Sequence, residues 1–249
     1  MADNPKCCGT AYDPIRQVRD LYTALALQPE RDFGWGKGKA NARQLGYDPA
    51  WLEVLPESVW ESAAAVGNPF GFGTLRSGEV VVDIGCGAGA DLCIAALLVG
   101  ENGRAIGLDL TPAMVAKARD NARRMGLVNV TVHEADMAAL PLPDTCTDVV
   151  ISNGAINLAS DKARIFQEIY RVLRSGGRLQ LADVVRRPRL EAEAVECDSW
   201  ANCVAGTVAP AHYLDLLQQV GFHAVEQVTW TGYHTAPTTE GATFRAIKP

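Results

Sequence analysis

Three aspartates stand where carboxylates can grip a small polar ligand. Asp83 closes the β-branched run Val80-Val81-Val82 and leads into Gly85-Cys86-Gly87-Ala88-Gly89. About 26 residues on, Asp109 ends a second apolar run, Ala105-Ile106-Gly107-Leu108, and Asp136 with Met137 follows a third. A buried strand turning tightly through glycines brings bare backbone against a ligand, and an acid ending the next strand can take both hydroxyls of a ribose. Asp136 would accept the exocyclic amine of an adenine while Met137 packs on its ring. Each acid could instead cap the following helix, but three at successive strand ends argue for one shared ligand.

The glycines Gly85, Gly87 and Gly89 follow G-x-G-x-G, one place tighter than the spacing that cradles a pyrophosphate at a helix N-terminus. The spacing and the Asp136-Met137 pair favour S-adenosylmethionine over a nicotinamide dinucleotide. Leu110 and Met114, just after Asp109, and Tyr22, on a helix near the N-terminus, complete the expected cofactor set with Asp83, Cys86, Asp109 and Asn153.

A parallel sheet must hold these acids along one edge. Apolar β-type runs predict strands over 79–84, 104–109, 129–134, 147–152 and 178–184, with helices over 90–99, 112–125 and 161–173 between them. Gly126 and Gly176-Gly177 sit where helix C-caps belong. After a helix over 211–220, the runs 223–230 and 242–247 have no helix between them and should pair antiparallel. The expectation is an α/β, doubly wound, seven-stranded and mostly parallel sheet. Residues 1–75 lack strand alternation and read as a helical cap on a core of 76–249. Within the cap, a helix spans about 13–27, Gly34 to Lys39 form a loop whose Trp35 could close over the cofactor, and two short helices follow Asp48-Pro49 and Leu55-Pro56, the second over Ser58 to Val66.

The chain carries a net charge of −6, with 48% hydrophobic and 21% charged residues. That balance suits a globular fold and opposes a nucleic-acid surface, which needs clustered Lys and Arg. No apolar run is long enough to span a bilayer and the N-terminal residues lack a signal-peptide core, so a cytoplasmic protein without membrane partners is expected, as monomer or homodimer. Seven cysteines, one of them in the glycine turn, read as reduced thiols rather than a disulfide framework.

Val80 to Gly89, Asp109-Leu110-Thr111, Leu140-Pro141-Leu142-Pro143-Asp144 and Val172 to Gly177 together resemble class I S-adenosylmethionine-dependent methyltransferases with their Rossmann-like sheet. More narrowly, Val18 to Tyr22, Leu45-Gly46-Tyr47, Gly67-Asn68-Pro69, Ser152-Asn153 with Ile156-Asn157-Leu158, Asp183-Val184 and Trp200-x-x-Cys203-x-x-Gly206 resemble the bacterial arsenite methyltransferases. The resemblance implies three arsenic-binding cysteines. Here Val66 and Gly154 stand at two of those positions, and Cys203 alone remains. One thiolate cannot hold a soft trigonal As(III) centre, so an organic small-molecule acceptor is expected, or a metalloid held with help from Cys7-Cys8 or Cys197. A binding module that kept only the cofactor pocket is a further alternative. The expected acceptor pocket lies above strands four and five. Asn153, Cys203 and His234 (a candidate general base) are the catalytic candidates, and Gly154, Asn157, Trp200, Cys203 and Tyr213 the substrate-binding ones, with Asp183 nearby. No resident metal is expected.

Overall fold

In the computed structural model, residues 13–187 and 206–249 are described. Trp200, Cys203, Cys197, Cys7 and Cys8 therefore lie outside the described residues. Strands β1 (Val80–Ile84), β2 (Arg104–Asp109), β3 (Val130–Glu134), β4 (Thr147–Asn153), β5 (Leu173–Arg186), β6 (His223–Trp230) and β7 (Thr239–Ile247) form one sheet in the order β3-β2-β1-β4-β5-β7-β6. The first five pair in parallel, and β7 runs antiparallel between β5 and β6. The order reverses between β1 and β4, and at such a switch point a crevice opens at the carboxyl ends of the strands.

Alternation along the strands sends apolar side chains to both faces. Val82, Ile84, Ile106, Leu108, Val150 and Leu181 meet Phe166 and Ile169 of α7 (Lys162–Val172) and Tyr213 and Leu217 of α8 (Pro210–Val220). On the opposite face, Val81, Ala105, Val149 and Ile151 meet Leu92, Ala95 and Ala96 of α5 (Ala90–Val99) and Val115 and Ala118 of α6 (Pro112–Arg124). Both faces are thus buried, as a parallel sheet requires. Asp161 starts α7 by accepting the Arg164 amide at 2.9 Å. Gly126 ends α6 as expected: its amide reaches Arg123 O and that of Leu127 reaches Ala122 O, both at 3.0 Å.

Gly176-Gly177 does not cap α7. The helix stops at Val172 and Leu173 turns extended directly into β5. The last carbonyls go instead to an ammonium: Lys248 Nζ donates to Tyr170 O at 2.7 Å and Leu173 O at 2.8 Å. The glycines pair with the tail, Gly176 N to Lys248 O at 2.8 Å and Lys248 N to Gly177 O at 2.9 Å.

The N-terminal cap comprises α1 (Pro14–Leu27), α2 (Gly38–Gln44), α3 (Pro49–Val54) and α4 (Glu57–Trp60). Two expectations fail here. The loop expected through Lys39 gives way to α2, whose Ala42 is buried. The helix expected over Ser58 to Val66 ends at Trp60, because tertiary partners take the backbone groups that would have continued it. Gly38 N donates to Ala63 O at 2.9 Å, Asn41 Nδ2 to Ala65 O at 2.8 Å, and Thr231 Oγ1 to Val66 O at 2.7 Å, while Val66 N reaches Asn153 Oδ1 at 2.9 Å. Lys117 of α6 fastens the cap by donating to Ala26 O, Glu61 and Ser62 at 3.2, 2.7 and 2.8 Å.

Candidate cofactor and acceptor site

The residues that close β1, β2 and β4 line a cavity of about 300 Å³, roofed by Pro14, Val18 and Tyr22 of α1. Its floor is the glycine turn, where the amides of Gly85 and Cys86 both donate to Leu108 O, at 2.8 and 3.0 Å. Gly85 can be nothing larger, since a Cβ there would stand 2.3 Å from the Ala155 Cβ. Asp109 ties the turn to β2, accepting Gly87 N on Oδ2 at 2.9 Å and Thr111 N on Oδ1 at 2.8 Å. The Thr111 side chain is a third donor to this carboxylate, which has about four acceptor sites and so keeps room for a further donor.

Asp83 is 2% exposed, and its Oδ2 has no hydrogen-bond partner. Burial pushes its pKa well up, and the neighbouring carboxylates of Asp91 and Asp109 push it further. Asp91, in the first turn of α5, is raised to about 6 by burial, against the pull of its Asn153 and Tyr47 hydrogen bonds. The Cys86 thiol is held up by burial and by Asp109 and Asp83, so it remains protonated.

Of the expected cofactor residues, Tyr22, Asp83, Gly85, Cys86, Gly87, Asp109, Leu110, Met114, Asp136, Met137 and Asn153 all line this cavity. Asp136 is exposed at its rim and accepts the Ala138 amide at 2.8 Å. Gly89 is not among the lining residues. It starts α5 and packs against α6, where a Cβ would stand 3.3 Å from that of Ala118. Trp35 is not there either and stacks beside Phe33, 5.4 Å between centroids.

The acceptor-side expectations divide. Gly154 lines the cavity with Ala155, Leu158 and Ala159. Asn153 lines it too, but its carboxamide is engaged within the protein: Nδ2 lies 2.9 Å from Asp91 Oδ2, Tyr47 Oη and Gly67 O, and Oδ1 accepts Val66 N. These bonds clamp the cap to β4. Asn157 and Tyr213 are fully buried away from the cavity lining, both bonded to Asp183. His234 is exposed, is not in the lining, and has its Nδ1 2.7 Å from Thr239 O. Position along the sequence places such residues near the rim without fixing which way each side chain turns. Tyr47, Trp60 and Asp91 line the cavity and carried no functional expectation; the acid following the glycines was the available signal for Asp91.

These groups fit S-adenosylmethionine. Its ammonium suits a cluster of buried carboxylates, one with a bare oxygen, and its ribose suits Asp109. Among the described residues, no lysine or arginine lines the cavity to oppose a cation.

A family model described as a methyltransferase domain matches residues 75–221. The arsenite methyltransferase of Halobacterium salinarum is 38% identical over 75% of this chain and 48% of its own length. That of Aquipseudomonas alcaligenes is 34% identical over 70% of this chain and 53% of its own. The chain thus spans about half the length of these curated relatives. Among solved structures, an arsenic(III) S-adenosylmethionine methyltransferase from Chlamydomonas reinhardtii superposes with a TM-score of 0.63 at 30% identity, covering 82% of this chain and 75% of that one. A geranyl diphosphate methyltransferase bound to sinefungin shares the fold with a TM-score of 0.68 at 16% identity, over 95% of this chain and all of that one.

Proposed function

This chain belongs to the methyltransferase-domain family, and we propose that it transfers the methyl group of S-adenosylmethionine to a small-molecule acceptor other than free arsenite. The observation that carries the cofactor is the bare, buried Asp83 oxygen on a cavity that also holds Asp91 and Asp109. For the acceptor, Val66 Cγ1 lies 3.1 Å from where a Cβ on Gly154 would stand, so the two positions at which the arsenite enzymes are taken to carry cysteines adjoin each other here without a sulfur. Ala155, Leu158 and Ala159 beside them make that wall apolar.

When bound, S-adenosylmethionine supplies an electrophilic methyl on a positively charged sulfur that leaves as a neutral thioether. The protein's part is alignment and exclusion of water. Asp109 and the glycine turn fix the nucleoside end, Asp83 and Asp91 fix the ammonium, and α1 with the apolar wall keeps solvent from the acceptor. A thiolate or carbanion needs only this placement, whereas a hydroxyl or amine also needs a base. The free, unpaired Cys86, Cys93 and Cys146 support a reducing, cytoplasmic setting, and the acidic charge supports partners other than nucleic acid. The division near residue 75 into cap and methyl-transfer domain belongs to the same proposal.

The test measures S-adenosylhomocysteine release by the full chain with arsenite plus glutathione, with small thiols and with phenols. Turnover with an organic acceptor and none with arsenite is expected. The names of the similar proteins favour a second reading, a metalloid acceptor held by Cys203 and other thiols. Arsenite turnover lost in Cys203→Ser would replace the first reading with it.

A further inference from the structure

Three buried side-chain atoms among the described residues have no hydrogen-bond partner: Trp35 Nε1, Trp60 Nε1 and Asp83 Oδ2. Two of these, a donor and an acceptor, belong to residues lining the same cavity. Buried polar groups are nearly always partnered, so an unpartnered donor and acceptor on two residues of one cavity lining point to a ligand that bears the opposite pair. An α-amino acid is such a ligand, with an ammonium to give and a carboxylate to receive.

We infer that the indole N–H of Trp60 receives the α-carboxylate of the cofactor's amino-acid tail, opposite the ammonium held by Asp83. The inference rests on the S-adenosylmethionine reading above. With no lysine or arginine among the described lining residues, an anionic group here must be met by neutral donors. Three neutral side-chain donors of this lining are committed: Ser62 Oγ donates to Leu25 O at 3.1 Å, Tyr47 Oη to Asp91 at 2.7 Å, and Asn153 Nδ2 to Asp91 at 2.9 Å. Trp60 is held by an edge contact with Tyr47, centroids 6.0 Å apart at 89°, so its N–H is fixed before any ligand arrives.

Calorimetry with three ligands separates the contacts. S-adenosylhomocysteine has the whole tail, its decarboxylated analogue keeps the ammonium, and 5′-methylthioadenosine lacks both groups. Trp60→Phe is expected to weaken S-adenosylhomocysteine binding about tenfold, as for one hydrogen bond to a charged group, and to leave the other two ligands unchanged. In the wild-type protein, one of five indole N–H resonances, assigned to Trp60 by replacing the other tryptophans, moves downfield with S-adenosylhomocysteine and stays put with methylthioadenosine. This second measurement stands even if Trp60→Phe fails to fold. An equal loss for all three ligands, no loss, or an indole signal that responds alike to both nucleosides would overturn the inference. Wild-type protein that binds none of the three would instead remove the cofactor reading beneath it.

Discussion

Asp83 and Asp183 are both buried aspartates at the carboxyl edge of the sheet, on β1 and β5, yet their surroundings are opposite. Asp183 is saturated by the protein itself. Its Oδ2 accepts Asn157 N at 2.8 Å and Tyr213 Oη at 2.9 Å, and its Oδ1 accepts Val184 N at 2.8 Å. With the Asn157 carboxamide turned so that its nitrogen faces the acid, a further bond of 2.7 Å forms. Asp83 keeps one oxygen bare, beside two other carboxylates. A buried acid that the fold satisfies holds structure, here the 3₁₀ turn Ile156–Leu158 under the acceptor wall. A buried acid left wanting is, under the proposed function, completed by what binds.

The sharpest way to break this contrast is to remove each acid and measure stability. Asp183→Ala takes a buried acceptor from the Tyr213 hydroxyl and the Asn157 and Val184 amides, and a loss of about 3 kcal/mol is expected by urea unfolding. Asp83→Asn replaces a buried carboxyl whose Oδ2 has no partner and should leave stability equal or higher. A comparable loss in both variants would erase the distinction. The acidity of Asp183 adds a sign. Burial raises it from 3.8 to about 7 despite its donors. Between those values the folded state holds the proton more tightly than the unfolded one, so the contribution of this group is greatest in acid and falls as pH climbs toward 7. Asp183→Asn should flatten that part of the stability profile.

Ligand binding should single out the other acid. Asp83→Asn is expected to weaken S-adenosylmethionine binding at least tenfold, the scale of a hydrogen bond between charged groups, while Asp183→Asn leaves it within about threefold. Because Asp83 and Asp91 are both raised in the free protein, an incoming ammonium favours their ionised forms and expels protons. Affinity should rise with pH through the raised range and then level off. Calorimetry in buffers of different ionisation enthalpy would read this release as a fraction of a proton near pH 6, reduced in Asp83→Asn. Equal release from the Asp83 variant and the wild type would take Asp83 out of the site.

The place of Asp83 at the sheet's edge was legible in the sequence and the bonding that saturates Asp183 was not, for a physical reason. Asp83, Asp109 and Asp136 follow β-type runs, and the end of a strand fixes which edge of a parallel sheet a residue occupies. The strand positions and the antiparallel tail followed from the same periodicity. Direction at the rim did not. Asn157 lies in a motif expected near the acceptor and Tyr213 was expected beside it, but both bond to Asp183, Asn157 through its amide and its turned carboxamide and Tyr213 through its hydroxyl. Trp60 gave no signal at all, since an unpartnered N–H exists only once the neighbours are in place. The early end of α4 was hidden similarly, because the groups that claim the 63–67 backbone come from residues as distant as Asn153 and Thr231.

The smallest effect gives the finest discrimination between the two aspartates. Tyr213 was expected on sequence grounds to touch substrate, whereas the structure stacks its ring on Phe244, with centroids 5.2 Å apart, and sets it edge-on to Phe166. Tyr213→Phe keeps both ring contacts and takes one donor from Asp183. The loss expected is about 1 kcal/mol, the net worth of an ordinary buried hydrogen bond. With one donor fewer, the carboxyl of Asp183 should also hold its proton to higher pH, shifting the acid-to-neutral fall in stability upward. Nothing in that change reaches Asp83, so the affinity for S-adenosylhomocysteine should stay within twofold and the KM for an organic acceptor should move little. A KM raised tenfold at unchanged stability would put Tyr213 on the acceptor after all, and with it Asp183 on the binding side of the comparison.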